Sequence, residues 1–407
     1  MKKTFTLIAA SLFSLCVNAQ WDTLDTQTST DFYSIGFTDN WNGVAVGKNP
    51  TTGGGAAFFT VTAGQSWIAA SMAANSNPIN DVAFYPPFSL GFAVGDSGQI
   101  YVCNTNVATI SAPSQLGTQD LNCVFFSSDS VTYVGGDHGA LYRTSNYGAT
   151  WDTLTTSTTQ AIRDLYFLTD SAGWIVCDGG FIGYTSDAGQ TWSIQTQPYG
   201  GFLEAKGISF TGTNLFVVGD YGNMVSSSDL GVTWNMFMSV TGDDLGCIRF
   251  SNALAGVMCG DNGAIYRTYV GGSNWANESM TNVDEKLNKV CFASDSTAYI
   301  CGEDGRILKS NMDISSVPDV NFTVTANAYP NPFESELHLV LNLEKTSSVQ
   351  IFIMNISGRV VADENYGELN QGENRIIPSG ISSLTEGIYM MRVITSYGSV
   401  SLPIVKQ

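Results

Sequence analysis

A four-residue pattern, Gly-Asp-x-Gly, returns along the chain at an almost constant interval, and that interval limits the fold more than any other feature. It reads Gly95-Asp96-Ser97-Gly98, Gly136-Asp137-His138-Gly139, Gly219-Asp220-Tyr221-Gly222 and Gly260-Asp261-Asn262-Gly263, with variants Cys177-Asp178-Gly179-Gly180 and Gly302-Glu303-Asp304-Gly305. Successive acids stand 41, 41, 42, 41 and 42 residues apart. A recurring unit of that size cannot bury its apolar face alone, so neighbouring copies must pack on one another. A degenerate copy at Val44-Ala45-Val46-Gly47-Lys48, with an inserted loop from Thr51 to Gly55, brings the count to seven.

Within each unit an apolar run such as Asp164-Leu165-Tyr166-Phe167 is followed by a turn, a second run such as Gly173-Trp174-Ile175-Val176, the marker, a third run and a Trp-ending turn. Four short strands per unit, with 42 glycines spread along the chain, read as all-β and as one propeller blade per unit. We label the strands A to D from the axis outward. The expected architecture is a seven-bladed β-propeller over residues 20–315, a linker at 316–326 and a small Ig-like β-sandwich over 327–407.

The turn between strands C and D carries a second signature, S/T-x-D-x-G-x-T-W. Thr185 to Trp192 match it at every constrained position with Asp187, Ser227 to Trp234 match with Asp229, and Thr144 to Trp151 match with Asn146 in place of Asp. Thr60 to Trp67 and Thr268 to Trp275 are degenerate copies. An Asx side chain can hold such a turn through backbone amides, Gly supplies a positive φ, and Trp buries a flat face between blades. We therefore read Asn146, Asp187, Asp229, Trp151, Trp192 and Trp234 as structural. The last unit has no Trp strand of its own, whereas Trp21-Asp22-Thr23-Leu24 is close to Trp151-Asp152-Thr153-Leu154, so this segment is expected to supply the missing strand D and close the ring. The glycine spacing and Asp-boxes over residues 21–313 resemble the photosystem II assembly factor propellers, whose motifs specify a fold and no reaction.

After Ser315 the period disappears. Residues 327–407 open with Tyr329-Pro330-Asn331-Pro332-Phe333, continue to Ser357-Gly358-Arg359, then to Gly387-Ile388-Tyr389-Met390-Met391-Arg392-Val393, and end with Lys406-Gln407. Tyr329, Pro330, Asn331, Pro332, Gly358, Gly387, Tyr389 and Lys406 make this segment resemble the type A sorting domain of Bacteroidetes type IX secretion substrates. That resemblance implies recognition by the type IX machinery, export across the outer membrane, and release or attachment at the cell surface. Lys2 and Lys3, the apolar run from Phe5 to Val17 and Val17-Asn18-Ala19 read as a Sec signal peptide over residues 1–19. No later stretch is long and apolar enough for a transmembrane helix.

A net charge of −19, from 36 acids against 17 bases, argues against nucleic acid and anionic membrane surfaces as partners. Beyond Cys16, the seven cysteines at 103, 123, 177, 247, 259, 291 and 301 are an odd number that cannot all pair within one chain. Cys177, Cys259 and Cys301 share one repeat position and Cys123, Cys247 and Cys291 lie near another, which favours small buried core residues over a disulfide framework.

No catalytic residue is assigned. Only two histidines exist, His138 and His338, which leaves no His-based triad or multi-His metal site, and no metal ligands are assigned. Three of the propeller's arginines are expected at one strand C position, pointing outward. Two carboxylates across the axis would suffice for glycoside hydrolysis, and the sequence leaves that alternative open. Asp96, Asp137, Asp178, Asp220, Asp261 and Glu303 are expected to ring one face, where B-to-C turns and D-to-A connections emerge. Each acid would cap its own turn, or the ring would recruit a cationic partner or Ca²⁺. The function expected is a secreted or surface binding and scaffold propeller for a protein or glycan, with an Asp-box glycoside hydrolase or lyase as the alternative.

Overall fold

The computed structural model describes residues 21–85, 89–195, 204–212, 214–237, 240–311, 324–355, 360–395 and 398–407. The signal segment 1–19, residues 316–323 of the linker and Gly358 lie outside them. Residues 21–311 form seven antiparallel sheets. Six are built in chain order, spanning 31–69, 79–115, 121–154, 162–195, 205–237 and 245–277; we number them blades 1 to 6. Blade 7 combines Leu287–Ser294, Thr297–Gly302 and Ile307–Asn311 with Trp21–Leu24, which pairs antiparallel to the third of these with Trp21 opposite Ser310. The innermost strands touch one another in sequence and blade 7 touches blade 1, so the ring is closed.

Two repeated packing devices hold the blades together. The first sits at the end of strand A, where Phe37, Phe84, Phe126, Phe167, Phe210, Phe250 and Phe292 occupy one position in all seven blades. Four of these rings stack on a strand B aromatic of the preceding blade: Phe37 on Tyr299 at 4.0 Å, Phe126 on Phe92 at 5.6 Å, Phe167 on Tyr133 at 3.6 Å and Phe250 on Phe216 at 5.4 Å. The second device is the Asp-box Trp, whose edge meets that pair, as Trp192 meets Phe167 at 6.3 Å and 87°. Each such aromatic contact adds roughly 0.5–1.5 kcal/mol beyond its buried area.

Every strand A also carries a register shift, between Phe32 and Ser34, Ile79 and Asp81, Leu121 and Cys123, Ile162 and Asp164, Ala205 and Gly207, Leu245 and Cys247, and Leu287 and Lys289. A bulge re-aims the side chain that follows it. Repeated around the ring, it sets one residue per blade at a common level of the axis.

Residues 324–407 form two further antiparallel sheets, of three strands (Val324–Tyr329, His338–Leu343, Gly372–Ile376) and four strands (Val360–Leu369, Ser347–Asn355, Gly387–Thr395, Gly398–Lys406). Alternate residues of both, including Leu339, Leu341, Ile351, Ile353, Met391 and Val393, share one aliphatic core. No helix among the described residues is long and apolar enough to cross a membrane.

Candidate functional site

The bulges place Ser34, Asp81, Cys123, Asp164, Gly207, Cys247 and Lys289 in a ring at the axis, and the two acids on it are both neutralised. Lys289 of blade 7 reaches across to Asp81 of blade 2 at 2.9 Å. Asp81 also accepts from the Ser34 hydroxyl at 2.6 Å and the Val124 amide at 3.0 Å. Arg249 of blade 6 forks onto both oxygens of Asp164 in blade 4, at 2.8 and 3.0 Å, and the Ile208 amide donates to the same carboxylate at 3.0 Å. Burial alone would raise the pKa of Asp164, but the Arg249 and Lys289 charges and these hydrogen bonds hold it below the usual carboxylate range. In return the Asp164 carboxylate raises the pKa of Arg249, and the Asp81 carboxylate that of Lys289, against their own burial. Asp81 and Asp164 are 2% and 5% exposed, whereas the side chains of Arg249 and Lys289 keep 23% and 17%. The cations are therefore the more exposed members of the two pairs, and of the carboxylates Asp81, but not Asp164, also lines the cavity described next.

Below this ring the channel opens into a cavity of about 380 Å³, walled by Phe84, Phe125, Phe126 and Phe292, with Arg249 and Lys289 among its lining. An apolar wall with a few convergent polar groups is the general form of a ligand site. Both carboxylates are ion-paired, Asp81 with Lys289 and Asp164 with Arg249. The arginines depart from the expected outward row. Only Arg143 and Arg267 share the strand C position, because Lys309 takes it in blade 7 and Arg306 falls in the marker turn. Arg267 is wholly buried, bonding Glu278 at 2.7 Å and lying 4.9 Å from the Trp21 ring.

Sequence inspection missed the axis ring. Its column stands 13 to 15 residues before each marker acid, but it contains five residue types in seven blades, so it has no repeat signature to notice.

The marker acids sit where the B-to-C turns emerge. The side chains of Asp96, Asp137, Asp178, Asp220 and Asp261 bond outside their own turns, to strand A or the D-to-A connection, which corrects the expectation of self-capping for these five. Asn80 donates to Asp96 at 2.8 Å and Asn122 to Asp137 at 2.9 Å. Arg163 forks onto Asp178 at 2.6 Å, Lys206 meets Asp220 at 2.6 Å and Lys286 meets Asp261 at 3.3 Å. The geometric reason is that strand A begins beside the turn, so its first outward side chain is nearer the acid than the turn's own amides. Burial, and then the neighbouring Asp120 and Asp137, push Asp96 upward despite Asn80. Among the described residues no group of three or more His, Cys, Asp or Glu is placed to hold a metal ion.

The Asp-box residues bond locally. Asp187 accepts from the Thr191 amide at 2.9 Å and hydroxyl at 2.6 Å and from Thr185 at 2.8 Å, while Thr185 accepts from the Gly189 amide at 3.0 Å. Asp229 repeats this with Thr233 and Ser227, and Asn146 with Thr150 and Thr144. Gly189 has φ +82°, and a Cβ there would lie 2.7 Å from Leu154 of the preceding blade, so only glycine suits the joint. Trp192 and Trp234 are buried and Trp151 is half-buried.

In the tail, the opening motif and the chain end are brought together. Asn331 accepts from the Val405 amide at 2.8 Å, Phe333 exchanges backbone hydrogen bonds with Val405 and Gln407, and Lys406 lies over the buried Phe333 ring, bonding the Glu334 carbonyl. Tyr389 is buried and donates to the Thr385 carbonyl at 2.9 Å, Gly387 has φ +156°, and Tyr329 is 42% exposed.

Residues 144–280 match the family model described as Photosynthesis system II assembly factor YCF48, and residues 327–407 match the Secretion system C-terminal sorting domain. No curated protein matches the chain. Similar solved structures include "YCF48 bound to D1 peptide" (TM-score 0.61, 18% identity, covering 72% of this chain and 95% of that one). Others are YCF48 from Cyanidioschyzon merolae (0.58, 16%, 72% and 99%) and the WD40 beta propeller domain of Doa1 (0.57, 10%, 73% and 98%). At these identities the structural likeness establishes the fold, and the chain as a whole carries a YCF48-like repeat region on an all-β propeller, followed by a secretion system C-terminal sorting domain.

Proposed function

We propose that this protein is a binding and scaffold propeller, exported by type IX secretion through residues 327–407 and presented at the cell surface or released, with a protein segment as its ligand. The observation that carries the reading is the axis: an aromatic-walled cavity has two cations in its lining, and the two carboxylates that would be needed for glycoside hydrolysis are tied to those cations. One similar propeller is described as bound to a peptide, which supports a protein ligand over a glycan. On the marker face, Asp178, Asp220 and Asp261 meet basic partners and Asp137, besides its Asn122 donor, lies 3.8 Å from Arg163, whereas Asp96 is held by Asn80, so blade 2 is the part of the acidic ring a cationic ligand segment would meet. The Sec signal at residues 1–19 delivers the chain to the type IX machinery.

The test is a peptide and glycan array probed with the secreted chain, run beside a panel of chromogenic glycosides. Peptide binding that is lost in Arg249→Met, with no glycoside turnover, is the expected result. Turnover that disappears in Asp81→Asn and Asp164→Asn would replace this reading with the hydrolase. Calcium is expected to leave the melting temperature unchanged both in the wild type and in a chain lacking Asp96, Asp137 and Asp220; a calcium shift confined to the wild type would make the ring a cation site.

A further inference from the structure

All seven cysteines beyond residue 20 carry free thiols in this structure, and six of them are buried. Only two of the seven face each other. In the antiparallel pairing of strands A and B of blade 6, Cys247 stands directly opposite Cys259. Cys123 faces Gly135, Cys177 faces Ile162 and Phe181, Cys291 faces Tyr299, Cys301 faces Lys289 and Ile307, and Cys103 faces Gly91 and Ile110. Directly opposed residues of an antiparallel pair have Cα atoms roughly 4.5–5.5 Å apart, inside the roughly 4.4–6.8 Å that a disulfide spans. Both side chains lie in the same buried core cluster.

The surroundings favour thiolate character on one member of the pair. The Cys247 sulfur accepts from the Val290 amide of blade 7 at 3.5 Å. Burial would raise its pKa, but the Cys259 thiol and the Arg249 and Lys289 charges draw it down, while burial and the Cys247 sulfur push Cys259 up. An attacking thiolate beside a protonated partner is the arrangement thiol–disulfide exchange requires.

We propose that Cys247 and Cys259 are an oxidation site, closing a cross-strand disulfide inside blade 6 of the exported protein and leaving the other five cysteines as thiols. The Cys247 thiolate attacks a disulfide-bearing oxidant, forming a mixed disulfide and releasing one thiol. Cys259 loses its proton and displaces the second, so the pair gives up two electrons and two protons to the oxidant's two sulfurs. The oxidising setting rests on the export proposed above, and the strand register does not.

The experiment uses the full chain in two forms: recovered from the medium of the secreting cell, and purified reduced, then equilibrated with oxidised glutathione. Each is alkylated in denaturant without reductant and mapped by peptide mass. The expected result in both is one link, Cys247 to Cys259, with five alkylated thiols beyond residue 20, and a melting temperature that falls by about 5 °C on reduction. Cys259→Ala should give six alkylated thiols and no link, at the melting temperature of the reduced wild type. Seven alkylated thiols in the recovered chain, or a link between any other cysteines, overturns the proposal. If no chain reaches the medium the export reading fails instead, and the glutathione form alone decides.

Discussion

Two rings of residues lie on strand A three positions apart, and they differ in kind. The outer one is Phe in all seven blades; the axis ring is Ser34, Asp81, Cys123, Asp164, Gly207, Cys247 and Lys289. The Phe position packs at the joint between blades, and in four of the seven its ring stacks on an aromatic of the preceding blade. At the axis the blades face a shared space, so no packing rule forces them to agree. Repetition marks what builds the ring, and its failure marks where the blades can act together on something else.

The two rings should respond differently to substitution. Asp164→Ala leaves Arg249 without its carboxylate, and urea unfolding should show a loss of about 3–5 kcal/mol, most of it recovered in Asp164→Leu with Arg249→Met. A double variant as unstable as the single would mean the axis is built for packing, like the Phe ring. Phe167→Ala and Phe250→Ala should each cost about 3 kcal/mol, and by similar amounts, because each removes the same stack. Unequal losses would undo the claim that these positions are equivalent.

Acid titration gives a smaller effect with a definite sign. The folded pKa of Asp164 is depressed, so the stability it contributes is present above its unfolded pKa of about 3.9 and is lost as pH falls through the folded value. Asp187 and Asp229, lowered by Thr191 and Thr233 against their own burial, add the same sign. Below about pH 4 the stability curve of Asp164→Asn should therefore be flatter than that of the wild type. Asp187→Ala should cost about 1 kcal/mol through its turn. Asp178→Asn is expected to cost the least, under about 1 kcal/mol, since its Arg163 partner is partly exposed.

How far each of these could be read from the sequence follows the reach of the bonds involved. Asp187 bonds residues two to four positions away, so its role is visible in eight letters. The 41-residue period is equally visible because every blade repeats it, and the closing strand could be found because Trp21 to Leu24 echo a complete copy elsewhere. Asp178 looks the same in sequence, yet its partner Arg163 is fifteen positions away on strand A. Asp164 and Arg249 are 85 positions apart, in blades that are not neighbours. Asp164 reads locally as the start of an apolar strand, and only ring closure brings its cation to it.

The strand that completes blade 7 makes the order of folding matter. Trp21 to Leu24 and Ile307 to Ser310 stand at opposite ends of the propeller's sequence, so the ring stays open until almost all of it has been made. During that interval blade 7 shows an unpaired edge and the N-terminal strand has no sheet, and the strand of a second molecule fits the gap equally well. Folding at high concentration therefore carries a built-in route to strand-exchanged chains. Once in place the closing strand is also tied to the neighbouring blade, because Trp21 donates to Glu278 of blade 6 at 2.9 Å.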